Sequence, residues 1–230
     1  LTHEIMNSVT PISSLAATVE TELEEFLKTL SIFANTGNLG PSFLQLPPSF
    51  SARSFPQLED FLRSLPSEFP YAVEVRHADF FDQADHEQRL DELLTELGID
   101  RCLFDTRALF SRPPEDDTEL AAQKKKPRSP FRTTVAASRP MVRLVVRNRI
   151  EQCESWLDEW ADQLTEWIDA GLRPILFIHA PDDAFAPETI WLFWEKLRAR
   201  TKAMPARPAT PGELEQAELK RRPTQLSLFG

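Results

Sequence analysis

The fold is decided by the stretch YAVEVRH, which occupies residues 71–77. Its tyrosine, alanine and two valines form the kind of short apolar run that builds a buried β-strand. Glu74, Arg76 and His77 interrupt this run, and charged groups are costly to bury unless they are paired with one another or used to bind a ligand. The stretch therefore predicts both a core strand and the first part of a functional site.

Four further apolar runs flank this stretch, and segments with apolar residues at helical spacing lie between them. We predict strands at residues 42–46, 71–76, 101–105, 141–146 and 174–179. Short, continuous apolar strands that alternate with helices indicate parallel strands covered by helices, which is an α/β fold. Five strands fit a doubly wound sheet, and they also fit part of a (β/α)8 barrel, which has eight.

Two segments lack this alternation. Residues 106–138 show little periodicity and predict a long loop, which carries the basic run KKKPR at residues 124–128. A connection of this length is functional or disordered, so the basic run is either a solvated surface or a lid that contacts phosphates. Residues 201–230 are rich in proline and charge. We therefore expect a barrel domain over residues 1–200 and a flexible tail over residues 201–230.

The composition excludes several classes of protein. The net charge of −10 leaves no global basic field that would draw the chain onto nucleic acid. Cys102 and Cys153 lack the spacing of a metal site, which favours reduced thiols in a cytoplasmic protein. No stretch has the length of a membrane span, and no signal peptide is visible. The five tryptophans lie on helix faces, and we predict that they are core residues rather than a platform for stacking bases.

Several pieces of the chain together resemble the YecE-like family, the domain of unknown function numbered 72. The pieces are LTHE at residues 1–4, GPSFLQLPPSF at 40–50, YAVEVRH at 71–77, FDTR at 104–107, VRL at 142–144 and FIHAPDD at 177–183. The resemblance implies a TIM-type (β/α)8 barrel of which this chain holds about five βα units, with the amino-terminal strands absent. We expect such an open sheet to be poorly soluble or inactive unless its edges are covered.

Catalytic groups of such barrels lie at the carboxyl ends of the strands. We predict Glu74 or His77 as a general base, with Asp105 orienting it. The predicted substrate-binding residues are Gln45, Arg76, Arg107, Arg143, His179 and Asp183. Guanidinium groups hold anions through paired N–H donors, so this set indicates a phosphate-bearing or other anionic substrate. The corresponding enzyme class is a metal-assisted phosphoester hydrolase.

Two alternatives remain open for these residues. In the first, His3, Glu74 and His77 bind a divalent metal, since imidazole and carboxylate groups suit zinc or manganese. In the second, the charged residues form ion pairs that close the barrel, with Glu74 bound to Arg76 or Arg143 and Asp105 bound to Arg107. The sequence contains no glycine-rich phosphate loop and no Gly-x-Ser-x-Gly motif, which argues against a nucleotide-binding loop and a serine hydrolase.

The tail carries one short motif of its own. The segment QLSLF at residues 225–229 resembles the pentapeptide by which bacterial proteins bind the DNA polymerase sliding clamp. The resemblance implies partner contacts through Gln225, Leu226, Leu228 and Phe229. Such a tail would connect a barrel enzyme to DNA replication or repair, or would recruit a non-enzymatic adaptor. The alternative is that these apolar side chains dock on the protein's own barrel.

Overall fold

The computed structural model describes residues 12–221. In that range, strands and helices alternate almost throughout. Their order is α1 (Ile12–Asn35), β1 (Ser42–Gln45), α2 (Phe55–Ser64), β2 (Tyr71–Glu74), α3 (Asp85–Leu97), β3 (Asp100–Asp105), α4 (Asp117–Lys125), β4 (Met141–Val145), α5 (Glu154–Asp169), β5 (Ile175–His179), α6 (Ala186–Arg200) and α7 (Pro211–Arg221). Each strand lies within two residues of its predicted bounds, because each is a compact apolar run.

The five strands are parallel and lie in the sheet in the order β1-β2-β3-β4-β5. Crossovers between parallel strands are right-handed, so an unbroken sequential order places the connecting helices on the same face of the sheet. A doubly wound sheet instead reverses its strand order and carries helices on both faces. The sheet is therefore a curled half-barrel, and the prediction of part of a TIM-type barrel is confirmed.

The two faces of the sheet differ in what they contact. Leu103, Leu144 and Ile178 belong to the main apolar cluster with residues of α5 and α6, so they lie on the outer, helix-covered face. Ala72, Cys102 and Met141 form a separate cluster on the opposite, inner face. Side chains alternate along a strand. This alternation decides which charged residue reaches which face.

Trp160 of α5 is the largest fully buried side chain of the outer face. Its ring lies 5.1 Å from the ring of Phe131 and 6.1 Å from that of Trp167, measured between centroids. The prediction of core tryptophans is thus confirmed for Trp160 and Trp167. Trp191 is only partly buried and carries the Arg207 guanidinium 4.9 Å above its ring.

The predicted loop over residues 106–138 contains helix α4, which the sequence interpretation did not include. The Asp116 side chain caps this helix by accepting a hydrogen bond from the Glu119 backbone N–H. The helix buries only Glu119 and Ala122, so it lacks the apolar stripe that would have predicted it. Glu119 is held instead by an ion pair with the fully buried Arg147.

Pro205 and Arg207 contact α6. The Trp194 indole N–H donates to the carbonyl oxygen of Pro205 at 3.3 Å, and Arg207 pairs with Glu213 of α7 at 2.6 Å. No helix between residues 12 and 221 combines the length and the apolar character needed to cross a membrane.

Candidate functional site

Glu74 ends β2 on the inner face and is completely buried. One of its carboxylate oxygens accepts a hydrogen bond from Arg76 Nε at 2.7 Å, and the other accepts one from Arg143 Nη1 at 2.6 Å. The Cys102 thiol lies 3.7 Å from the second oxygen, and burial raises the pKa of that thiol well above its usual range. Both oxygens of Glu74 are thus committed to fixing two guanidinium groups.

Arg143 lies at the centre of the group. Its Nη1 also donates to Gln45 Oε1 at 3.0 Å, so it joins the ends of β1, β2 and β4. Its guanidinium carbon lies 5.5 Å from the ring centroids of both Phe43 and Phe104, and Arg76 lies 5.1 Å from the Phe104 ring. Contact with aromatic faces restricts where a guanidinium can move. The two arginines are therefore held in place before any ligand arrives.

His179 ends β5 beside Arg143, with its Nε2 atom 3.4 Å from Arg143 Nη2. A guanidinium can only donate, so Nε2 acts as the acceptor and the imidazole is neutral. Burial lowers the pKa of His179, and the nearby charges of Arg143 and Lys126 lower it further. The site therefore contains a neutral imidazole with a lone pair directed at a cation.

Lys126 directly follows α4, is partly buried, and lies within electrostatic range of the same group. Burial lowers the pKa of Lys126, and the charges of Arg143 and Arg76 lower it further, while those of Glu74 and Asp183 act in the opposite direction. Within the described range, the Lys126 ammonium makes no hydrogen bond or ion pair. The group therefore holds more positive charge than Glu74 balances.

The sequence did not single out Lys126 from the basic run. Its neighbours Lys124 and Lys125 are exposed, whereas Lys126 is partly buried. Three consecutive lysines carry no signal that distinguishes them, because the difference is produced by the way α4 packs. Ala122 of α4 belongs to a small cluster with Phe104 and Val145, which brings the end of the helix to the inner face.

Two predicted catalytic residues lie apart from this group. Asp105 accepts hydrogen bonds from Arg107 and from the indole N–H of Trp160 at 2.9 Å, and Arg107 also pairs with Glu159 of α5. Asp105 follows Phe104 by one residue, so alternation places it on the outer face. The two ion-pair alternatives predicted from the sequence, at Glu74 and at Asp105, are both present as contacts.

His77 is also directed away from Glu74. Its Nδ1 atom accepts a hydrogen bond from the Asp79 backbone N–H at 3.2 Å, so the side chain caps the short helical turn Ala78–Phe81. No hydrogen bond or ion pair joins His77 to Glu74 in the described part of the chain. Asp183 begins the turn after β5 and influences Lys126 and His179 through its charge.

The described residues provide no set of ligands for the divalent metal considered in the sequence analysis. Among residues 12–221, no three His, Cys, Asp or Glu side chains lie close enough together to hold a metal ion. His3, the third predicted metal ligand, lies outside the described residues, as do all four predicted partner-binding residues of the 225–229 segment.

Comparison with known proteins places these features in a family. Residues 2–214 match the family model described as protein of unknown function DUF72. The chain is 37% identical over 187 residues to the UPF0759 protein YecE of Escherichia coli K12. The aligned region covers 81% of this chain and 68% of that protein. The YecE protein of Escherichia coli O157:H7 is 36% identical over the same length.

Two solved structures of a DUF72 family protein from Enterococcus faecalis V583 share the fold. The structure at 2.52 Å resolution has a TM-score of 0.57 and 13% identity, and the alignment covers 75% of this chain and 66% of that one. The structure at 3.10 Å has a TM-score of 0.53 and 10% identity. The present chain thus spans just under two thirds of the first of these structures. At such identities the likeness concerns the fold alone, but the family match and the 37% identity are sufficient to conclude that the chain belongs to the DUF72 family of proteins of unknown function.

Proposed function

We propose that the inner face of the sheet is the ligand site of a barrel enzyme that acts on a phosphate-bearing or other anionic substrate. The observation that carries the proposal is the position of Lys126. Within the described residues this partly buried lysine pairs with no acidic side chain, and it is exposed to the positive charges of two arginines that share one carboxylate. Like charges repel one another strongly away from water, so this arrangement favours the binding of an anion.

The donors needed to hold that anion are available. Arg76 uses Nε for Glu74, and its two terminal nitrogens make no hydrogen bond within the described residues. Arg143 uses Nη1 for Gln45 and Glu74, and among the described residues Nη2 makes only the long contact to His179. Planar guanidinium donors of this kind match the oxygens of a phosphate or carboxylate.

The position of the group also supports an enzyme. Gln45, Glu74, Arg143 and His179 lie at or near the carboxyl ends of four different strands, where barrel enzymes place their catalytic residues. Glu74 would organise the arginines, and a ligand that displaces the long contact of His179 Nε2 with Arg143 would free this nitrogen to accept a proton from an attacking hydroxyl or water. The arginines and Lys126 would stabilise charge that develops on the substrate. Phosphoester hydrolysis is the reaction that best fits these roles.

Binding of inorganic phosphate and pyrophosphate to the chain, measured by calorimetry, tests the site. We expect Lys126→Gln to weaken binding about 10- to 100-fold, the effect of losing one hydrogen bond to a charged group. Lys125→Gln is the matched control, because it removes the same charge from the adjacent exposed position. Equal affinities for the two variants would contradict the proposal.

A second function, recruitment by the tail, rests on a sequence observation. The segment QLSLF at residues 225–229 fits the clamp-binding pentapeptide at every position, and it would bring either an enzyme or a non-enzymatic adaptor to replicating DNA. We expect immobilised bacterial sliding clamp to retain the full chain and to lose it after the double change Leu228→Ala and Phe229→Ala. Thr224→Ala, just outside the motif, should bind like the parent. Retention of the double variant would remove the link to DNA.

A further inference from the structure

We infer that Phe177 forms a second subsite beside the anion site and that it selects a phosphate ester carrying an aromatic ring. The inference rests on the proposed anion site and adds the chemical class of its ligand. It is carried by two observations, the exposure of the Phe177 ring and the pairing of Phe177 with Arg143 across two strands.

Phe177 lies on the inner face of the sheet. On β5, Leu176 and Ile178 pack in the main apolar cluster of the outer face, whereas Ile175 packs against the inner cluster. Side chains alternate along a strand, so Phe177 and His179 project from the inner face. The ring therefore shares a face with the anion site rather than with the helices.

Strand pairing brings this ring beside the central arginine. Phe177 is the register partner of Arg143 in the parallel pairing of β4 with β5. Neighbouring strands lie about 4.8 Å apart, so the two side chains leave the sheet next to each other. On the other side of Arg143, its register partner is Phe104 of β3. Arg143 is thus flanked by one phenylalanine on each neighbouring strand.

Arg143 also directs its less occupied nitrogen toward the strand that carries Phe177. Its Nη1 donates to Gln45 and Glu74, which belong to β1 and β2. Its Nη2 lies 3.4 Å from Nε2 of His179, which follows Phe177 by two residues on the same face of β5. An anion bound at Nη2 would therefore lie on the side of Arg143 where the Phe177 ring projects.

The two flanking rings differ in what covers them. Phe104 is 2% exposed and contacts the guanidinium groups of Arg76 and Arg143. Phe177 is 46% exposed, and its ring makes no aromatic or cation–π contact with any described residue. Single exposed apolar side chains are common at protein surfaces, and Phe185 in the turn after β5 is another, at 42%. Phe177 differs from it in lying beside the donors of an anion site.

This combination of donors and an open ring favours one kind of ligand. A phosphate at Arg143 Nη2 would lie about one strand spacing from Phe177, a distance that a ring linked through the ester oxygen can span. The two rings could then meet in an offset stack or edge to face, the arrangements that aromatic pairs prefer. A small aliphatic ester would leave most of the phenylalanine ring in water. The site therefore distinguishes aromatic from small aliphatic phosphate esters.

Benzylphosphonate and ethylphosphonate are a matched pair of probes for this subsite. In both, a CH2 group replaces the ester oxygen, so the proposed hydrolase cannot cleave them, and only the first carries a ring. Calorimetric titration of the full chain with each compound measures the preference. We expect benzylphosphonate to bind about 5- to 50-fold more tightly, the effect of stacking one aromatic ring on another.

Three variants assign this preference to the ring of Phe177. Phe177→Ala should weaken the binding of benzylphosphonate by the same factor, so that the two phosphonates bind alike. Phe177→Tyr keeps the ring and should keep the preference. Phe185→Ala is the matched control, because it removes an equally exposed ring outside the inner face, and it should bind both compounds like the parent. Melting temperatures of the three variants check that the fold is retained.

The contrary outcomes separate this inference from the anion site. Equal binding of the two phosphonates by the parent overturns the aromatic subsite and leaves the anion site standing, and a preference that survives in Phe177→Ala does the same. Failure of both compounds to bind overturns the anion site and the inference together. A dimer in sedimentation that Phe177→Ala abolishes, combined with equal binding of the phosphonates, would assign the ring to contact with a second copy of the chain.

Discussion

Glu74→Gln should lower the free energy of unfolding by about 3–5 kcal/mol, the usual effect of removing one partner from a buried ion pair. The change keeps the size of the side chain but leaves Arg76 and Arg143 without the charge that both of them contact. Urea denaturation monitored by circular dichroism measures the loss. The matched control is Glu96→Gln, which removes an exposed partner of Arg63 and should cost far less, because water solvates both charges.

The same variant also reports on the ligand site. With Glu74 neutralised, the two arginines lack a counter-charge, so added phosphate should stabilise Glu74→Gln more than it stabilises the parent. A loss of stability no larger than that of Glu96→Gln would show that the inner group is effectively solvated. Equal stabilisation of variant and parent by phosphate would show that the anion binds elsewhere.

Trp160→Ala should have a comparable effect on the other face, about 3–5 kcal/mol, because a large, fully buried ring leaves a cavity. The change also removes the indole N–H that donates to Asp105. Trp160→Phe helps to separate these two contributions, since it keeps most of the volume and removes the donor, and it should cost about 1–3 kcal/mol. Denaturant midpoints at an unchanged slope measure both losses.

Trp191→Ala serves as the control for that series, because its ring is only partly buried and lies beneath Arg207. We expect it to cost well under half of the Trp160→Ala effect. Similar losses for the two alanine variants would mean that Trp160 does not organise the packing of α5 against the sheet.

The sequence predicted the fold well because the fold depends on local signals. Short apolar runs located all five strands, and their alternation with helices indicated a parallel sheet. Helix α4 was missed because what holds it in place is the pairing of Glu119 with Arg147, twenty-eight residues away. A contact between two charged residues so far apart leaves no periodic pattern along the chain.

The candidate site was predicted only in part. Placing charged residues at strand ends correctly brought together Gln45, Glu74, Arg76, Arg143 and His179, which are joined by hydrogen bonds. It also grouped Asp105 and His77 with them, because proximity to a strand end was considered without the face on which each side chain lies. The basic run at residues 124–128 was predicted to be either a solvated surface or a lid, but the burial of Lys126 alone could not be predicted, since it follows from the packing of a helix that had not been predicted.

The alternation at the end of β3 has a consequence for how this protein can change over generations. Phe104 contacts the arginines of the ligand group, and the next residue, Asp105, belongs to the network that secures α5. Neither carboxylate, Glu74 or Asp105, shares a described hydrogen-bond or ion-pair partner with the other, so the ligand group and the attachment of α5 depend on separate sets of polar contacts. Selection can therefore alter what the inner face recognises while the attachment of the helices drifts separately.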